Sequence, residues 1–212
     1  MSAGGAQGLR RMAAWAAAPP PALATDRPAP STAHCELCPI GIGERHRHLL
    51  HLTERRIVCV CETCWSLRSG DPEFRPPGTR TLWLEDFALP DEIWAAFQIP
   101  IGLAFLLRSS VSGGVVALYP SPAGATESEL ELVAWDALCA RNPVLDRLEP
   151  DAEALIVDRT GAAPRYAIVG VDRCYELVGR VKAGWSGISG GPGVTAAVDA
   201  FFADLRAQAV VA

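Results

Sequence analysis

The chain has 212 residues, half of them apolar, and a formal net charge of −5, so it can bury a sizeable core in one or two domains. Residues 1–80 are net +3 and residues 81–212 are net −8. This distribution lacks the dense basic stripe of a dedicated nucleic-acid binder, and no apolar run reaches the length of about 18 residues that a membrane span needs.

Residues 1–31 are predicted to form a flexible tail. Arg10-Arg11, a short apolar stretch and Ala22-Leu23-Ala24 resemble an export signal. The apolar segment 12–18 is stopped by three prolines, however, whereas a signal peptide has a continuous apolar core before its cleavage site. We therefore expect a short helix around residues 9–17 and a cytoplasmic location.

Residues 34–64 hold five of the seven cysteines and all four histidines. Cys35-x-x-Cys38 and Cys61-x-x-Cys64 each place two thiolates on a tight turn, which is half of a tetrahedral zinc shell. The 22 residues between the pairs fit a β-ribbon or a treble-clef finger. We predict that Cys35, Cys38, Cys61 and Cys64 bind one structural Zn²⁺, with iron as the less favoured metal. The odd cysteine count and the poor export signal argue against disulfides.

The cysteine spacing does not define the roles of Cys59 and of the four histidines in this stretch. In an extended segment Ile57, Cys59 and Cys61 share a face, and Cys59 is expected to be a core thiol, with a spare ligand or a member of a cluster site as the alternatives. His46 and His48 alternate in a predicted strand beside two arginines, which is typical of an exposed face. The sequence does not decide whether any of the four histidines is a metal ligand: His34, His46, His48 and His51.

Histidines between two cysteine pairs are also typical of small metal-dependent nucleases. Only nine residues separate His51 from Cys61, and Trp65 stands where a further ligand or base would follow the second pair. Four thiolates form a closed shell with no position for water, which favours a structural over a catalytic site. We therefore predict that the protein is not an enzyme.

The fold class is predicted as α+β. A zinc-ribbon-like or treble-clef-like module at 32–70 is followed by a linker at 71–79 and an α+β domain at 80–212, with a mostly antiparallel sheet and packed helices. Strands are expected at 81–84, 103–107, 115–119, 154–158 and 166–171. Helices are expected to begin at Pro90, at a Thr126-x-x-Glu129 capping box and at Asp172, and the last is expected to span 194–210.

The second domain shows no catalytic constellation. Ser121 and Ser128 have no histidine outside residues 34–51 to activate them, so turn formation and capping explain them better. The glycine-rich segment 184–193 resembles a phosphate cradle but lacks the Lys-Ser/Thr pair of a P-loop, and a plain connector is expected.

Several strings together resemble an uncharacterised actinobacterial family that is often encoded among the accessory genes of nickel–iron uptake hydrogenase clusters. They are Cys35-Glu-Leu-Cys38 with Arg47-His-Leu, Cys59-Val-Cys-Glu-Thr-Cys64, Ile99-Pro-Ile-Gly-Leu-Ala-Phe105, Tyr119-Pro-Ser-Pro-Ala-Gly-Ala-Thr-Glu-Ser128 and Cys174-Tyr-Glu-Leu-Val-Gly179. The likeness covers roughly residues 30–205. It implies a hydrogenase-associated accessory role, and Pro39 departs from the glycine usual after a first cysteine knuckle.

The leading hypothesis is therefore a non-enzymatic, zinc-binding adaptor whose partner is a protein, either a hydrogenase subunit or a maturation factor. The first alternative is a metal carrier or an iron–sulfur or redox protein that uses Cys59 and the histidines as a transient site. The second is a weak nucleic-acid-binding regulator, which the charge distribution disfavours.

Overall fold

The computed structural model describes residues 33–128, 132–187 and 190–211. The predicted tail at 1–31, with its short helix, lies outside these ranges. Within them the chain forms one small and one large β-sheet. No helix of the described residues is long and apolar enough to cross a membrane.

The small sheet contains β1 (Arg47–His51), β2 (Arg56–Val60) and β3 (Phe74–Arg75). β1 is central and pairs antiparallel with both neighbours. Helix α1 (Glu62–Arg68) follows β2 directly. A cysteine turn, a hairpin and a helix that begins at the second cysteine pair follow one another as in a treble-clef finger, which confirms the predicted type of module.

The large sheet has seven strands: β4 (Thr81–Trp83), β5 (Leu103–Arg108), β6 (Val115–Ser121), β7 (Gly124–Ser128), β8 (Glu153–Asp158), β9 (Arg165–Gly170) and β10 (Val210–Val211). Their order is β10-β4-β9-β8-β5-β6-β7. Every neighbouring pair is antiparallel except β10 and β4, which are parallel. The predicted α+β class with a mostly antiparallel sheet is confirmed.

Helices cover both faces of the large sheet. They are α2 (Asp91–Ala96), α3 (Leu132–Arg141), a 3-10 helix (Pro143–Arg147), α4 (Val171–Gly184) and α5 (Gly191–Gln208). Successive strand residues point to opposite faces, so Phe105 packs with α4 and α5 while Leu106 packs with the other three helices. Cys174 on α4 is fully buried in the first of these cores, as expected of a core thiol.

Three predicted helices have boundaries that differ from the observed ones. Thr126 does not cap a helix: it pairs with Tyr119 in the hairpin of β6 and β7, and the first helical residue described after it is Leu132. Gly124, with φ of 125°, follows the two-residue turn in this hairpin. Asp172 lies inside the first turn of α4, whose N-cap is Gly170. The last helix, predicted at 194–210, spans Gly191–Gln208. It stops at Gln208 because Val210 pairs with β4.

The hairpin of β1 and β2 contributes to two different cores through adjacent residues. Leu49 and Leu50 are both essentially inaccessible to solvent. Leu49 packs with Val58 and Phe74 in the small core of the cysteine module. Leu50 points the other way and joins the core between the large sheet and α4. The division into domains at residues 70 and 80 stays a prediction.

This alternation makes a matched pair of substitutions informative. We expect Leu50→Ala to lower the free energy of unfolding by about 2–5 kcal/mol, because it leaves a cavity in the core of the large sheet. Leu49→Ala should instead increase hydrogen exchange mainly over residues 33–75. Hydrogen exchange followed by mass spectrometry separates the two effects. Identical exchange patterns in both variants would show that the two cores unfold together and would contradict the prediction.

Candidate metal centre

The first cysteine pair lies on a turn that is attached to β2. The Cys35 backbone N–H donates to the carbonyl oxygen of Ile40 at 2.8 Å, which closes the turn around Pro39. Glu36 attaches it to the hairpin: its N–H donates to the Cys59 carbonyl at 2.9 Å, and its carboxylate accepts from the Cys59 N–H at 2.7 Å. The turn is thereby fixed against the strand that leads to the second pair.

The second cysteine pair lies at the start of α1. Cys61 is the N-cap residue, and its sulfur accepts from the backbone N–H of Cys64 at 3.4 Å. The free N–H groups at a helix start carry partial positive charge, which favours thiolates there. Arg47 connects the helix to β1, because its guanidinium stacks over the Trp65 ring at 4.7 Å and pairs with Glu62 at 2.9 Å.

The fold brings the four predicted ligands together. The Sγ atoms of Cys35, Cys38, Cys61 and Cys64 all lie within 4.8 Å of one another, and those of Cys38 and Cys61 are 3.7 Å apart. Zinc–sulfur bonds of about 2.3 Å in a tetrahedron give sulfur–sulfur distances of about 3.8 Å. The four thiols therefore fit a tetrahedral metal ion, although this geometry suits zinc and iron alike.

The thiols also influence one another's ionisation. Burial acts to raise the pKa of Cys35, but hydrogen bonds from the backbone N–H groups of Cys61 and Leu37, together with those from the Cys38 and Cys64 thiols, outweigh it. The pKa therefore falls from 9.0 to about 6. At Cys64, a hydrogen bond with Cys38, burial and the other thiols raise the pKa to about 12. The Cys35 thiol therefore loses its proton more readily than a free cysteine, and the Cys64 thiol loses its proton less readily. A divalent cation between the sulfurs would supply the charge that full deprotonation needs.

Two of the four histidines have structural contacts away from the cysteine cluster. His34 is exposed and forms an isolated β-bridge with Gly41. The His51 ring packs edge-on against Phe74 at 5.1 Å, and its Nδ1 accepts from the Glu54 N–H at 3.2 Å. His51 therefore stabilises the end of the hairpin, and neither side chain belongs to a metal-type cluster among the described residues.

The other two histidines form a second cluster with Cys59. One side-chain nitrogen of His46, one of His48 and the Cys59 sulfur lie within 4.8 Å of one another. All three residues are partly buried. His48 also contacts Asp172 of α4, with 3.2 Å between its Nδ1 and the carboxylate. Burial raises the pKa of the Cys59 thiol, and the nearby Glu36 carboxylate raises it further.

Sequence reasoning missed Glu36 and Asp172. Glu36 stands between two cysteines as an ordinary exposed acid, and no local pattern marks it as the residue that pairs with β2. Asp172 was assigned to a helix cap, and its contact with His48 spans 124 positions of the chain. Only the packing of α4 against the hairpin brings Asp172 to His48.

The hydroxyl groups considered as nucleophiles have structural hydrogen bonds. The Ser128 hydroxyl donates to the carbonyl oxygens of Phe97 and Gln98 at 3.0 and 3.1 Å. The Ser121 hydroxyl accepts from Thr126 at 2.9 Å across the hairpin. Both serines therefore fix local backbone geometry.

Glu36 offers a test of how the first cysteine turn is held. We expect Glu36→Ala to weaken metal retention by about 10-fold, because residues that orient ligands contribute effects of this size. Glu44→Ala is the matched control, since it removes an exposed carboxylate of the same module, and this carboxylate has no hydrogen bond to either cysteine turn among the described residues. Competition with a coloured chelator measures both. Equal retention in the two variants would show that the Glu36 carboxylate does not hold the turn.

Comparison with known proteins places the chain in a family but gives no activity. No curated protein and no solved structure matches it. A family model described as a family of unknown function (DUF5947) matches residues 34–209, which include both cysteine pairs, both histidines of the second cluster and Asp172. The match covers far more than half of the sequence, and the chain therefore belongs to the family of unknown function DUF5947.

Proposed function

We propose that this protein is a non-enzymatic, zinc-binding accessory protein. One Zn²⁺ bound by Cys35, Cys38, Cys61 and Cys64 organises the treble-clef module, and the chain acts by binding a protein partner. The observation that carries the proposal is the convergence of four thiols from two separate turns, with all four sulfurs within 4.8 Å of one another.

The ligand set supports a structural rather than a catalytic ion. Four thiolates complete a tetrahedral shell and leave no position for water or substrate. The core of the module is small, with six buried residues: Cys35, Ile42, Leu49, Val58, Val60 and Phe74. Structural zinc contributes about 10–16 kcal/mol to the folding of such modules, so an ion would supply most of the stability here.

The partner proposal has two supports. The sequence strings resemble a family encoded with nickel–iron uptake hydrogenases, which implies a hydrogenase subunit or a maturation factor in a reducing cytoplasm. The module also exposes apolar side chains: Ile40 is 54% and Leu67 is 73% accessible. Helix α1, which carries Leu67, has no fully buried residue and so offers a face for docking.

A metal carrier is the second candidate function. It is favoured by the cluster of His46, His48 and Cys59, whose ligands differ from those of the four-thiol centre. An iron–sulfur or redox role would give visible absorption after anaerobic purification, whereas a zinc protein would be colourless.

The four-thiol centre is tested by substitution and metal analysis. We expect the purified chain to retain zinc through dialysis and Cys61→Ser to lose it, with faster hydrogen exchange over residues 33–75 and unchanged protection in β5 and β8. Cys139→Ser is the control, because this partly buried thiol lies on α3 outside both clusters. Zinc retention with undisturbed exchange in Cys61→Ser would contradict the proposal.

The docking face is tested with purified hydrogenase subunits and maturation factors. We expect Leu67→Glu to abolish binding while zinc content stays the same, because a charge replaces the exposed apolar side chain. Ser66→Glu adds the same charge at the neighbouring exposed position and should bind normally. If none of these proteins binds the unaltered chain, the hydrogenase association fails, whereas the zinc centre is judged by its own test.

A further inference from the structure

The second cluster has the local architecture of a binding site. His48 and Cys59 are directly opposed across the strands β1 and β2. His46 lies immediately before β1, and the centroid of its ring is 4.8 Å from that of His48, so the two rings lie on the same side of the hairpin. Opposed residues in an antiparallel pair have their Cβ atoms about 4.5–5.5 Å apart, which allows both side chains to reach one ion.

The hydrogen bonds of the two imidazole rings orient their free nitrogens toward each other. His46 Nδ1 lies 2.8 Å from the carbonyl oxygen of Gly43, which can only accept, so this nitrogen carries a proton. His48 Nδ1 lies 3.2 Å from the Asp172 carboxylate, which also accepts. In the neutral ring the other nitrogen, Nε2, then has a free lone pair. The two Nε2 atoms are 3.2 Å apart.

Two lone pairs at this distance repel unless a cation lies between them. A single extra proton satisfies them as a hydrogen-bonded imidazole–imidazolium pair. A metal ion satisfies them as well, since metal–nitrogen bonds of about 2.0–2.1 Å in a tetrahedron put the nitrogens about 3.3 Å apart. The metal alternative also uses Cys59, whose sulfur lies within 4.8 Å of one ring nitrogen of each histidine.

We infer that His46, His48 and Cys59 form a second metal site, for a borderline transition-metal dication such as Zn²⁺, Co²⁺ or Ni²⁺, with a fourth position left for an exogenous ligand. Imidazole and thiolate select such ions over Mg²⁺ and Ca²⁺, which prefer oxygen. Asp172 is the positioning residue: a carboxylate on the remote nitrogen of a ligating histidine fixes its tautomer and raises its basicity. This site is additional to the proposed structural centre and shares no ligand with it.

The three-residue ligand set gives the site a different character from the four-thiol centre. A closed thiolate shell holds its ion permanently, whereas three ligands leave one coordination position for exchange or for a ligand on a partner. All three residues are partly exposed, so such a ligand can reach them. The site is therefore suited to binding an exchangeable ion.

The test is an anaerobic Co²⁺ titration of the full chain as purified, with its zinc content measured before and after. We expect one further equivalent of Co²⁺ to bind without release of zinc and to show a thiolate-to-cobalt charge-transfer band. Cys59→Ser should lose the band. His48→Gln and His46→Gln should each lose the additional equivalent while they retain zinc.

Three outcomes would overturn the second site. They are the absence of a charge-transfer band, cobalt uptake matched by zinc release, and cobalt binding that both histidine variants leave unchanged. If a variant fails to fold, the imidazole nitrogen resonances of the unaltered chain decide, because Zn²⁺ binding should shift both Nε2 signals together and an imidazolium pair would respond to pH alone. Loss of tight zinc in Cys61→Ser tests only the four-thiol centre, so the two proposals fail separately.

The positioning role of Asp172 has its own readout. We expect Asp172→Asn to weaken cobalt binding at the second site by about 10- to 100-fold and to leave the charge-transfer band in place at saturation. Asp204→Asn, which removes an exposed carboxylate on α5, is the control. Equal affinities in the two variants would show that the carboxylate does not act through His48.

Discussion

The Sγ atoms of four cysteines lie within 4.8 Å of one another, and four negative thiolates at these distances would repel one another strongly without a cation. The small sheet, its cysteine turn and helix α1 are arranged around this cluster. Backbone N–H groups direct partial positive charge at the sulfurs of Cys35 and Cys61. These hydrogen bonds stabilise one negative charge and leave the others costly, as the opposite pKa shifts of Cys35 and Cys64 show. A dication between the four sulfurs, as proposed above, would neutralise this charge and hold the cysteine turn and the start of α1 together.

The hairpin of β1 and β2 connects this centre to the rest of the chain. One face contributes Leu49 and Val58 to the small core. The other contributes Leu50 to the core beneath α4 and places His48 against Asp172. The Tyr175 hydroxyl adds a hydrogen bond to the carbonyl of Arg55 at the tip of the hairpin. The positions of the four-thiol centre and the histidine cluster are thus both determined by one two-stranded element.

The features that depend on local sequence patterns, namely the cysteine cluster, the apolar strands and the buried side of α4, were mostly predicted from the sequence. The spacing of Cys35, Cys38, Cys61 and Cys64 was sufficient to predict their convergence, because two tight turns flanking a hairpin allow few arrangements. Apolar strands and the buried stripe of α4 followed from periodicity. The prediction that Thr126 caps a helix was wrong because the same residue type is common both in capping boxes and in strands. Pairing with β6 outweighed the local preference for a helix start.

The histidine cluster was harder to predict because its residues are brought together by three different things: local sequence, strand register and helix packing. The alternation of side chains along an extended segment predicts that His46 and His48 share one face. It does not predict whether that face is exposed or packed against another element. The register of β1 against β2 adds Cys59, and the docking of α4 adds Asp172. Each step requires the one before it, so a cluster in which His48 and its partner Asp172 lie 124 positions apart has no signature in any short stretch. The cysteine centre differs because both of its turns flank a single hairpin. A residue whose partner is supplied by tertiary packing, as Asp172 is for His48, can be recognised only once the fold is known.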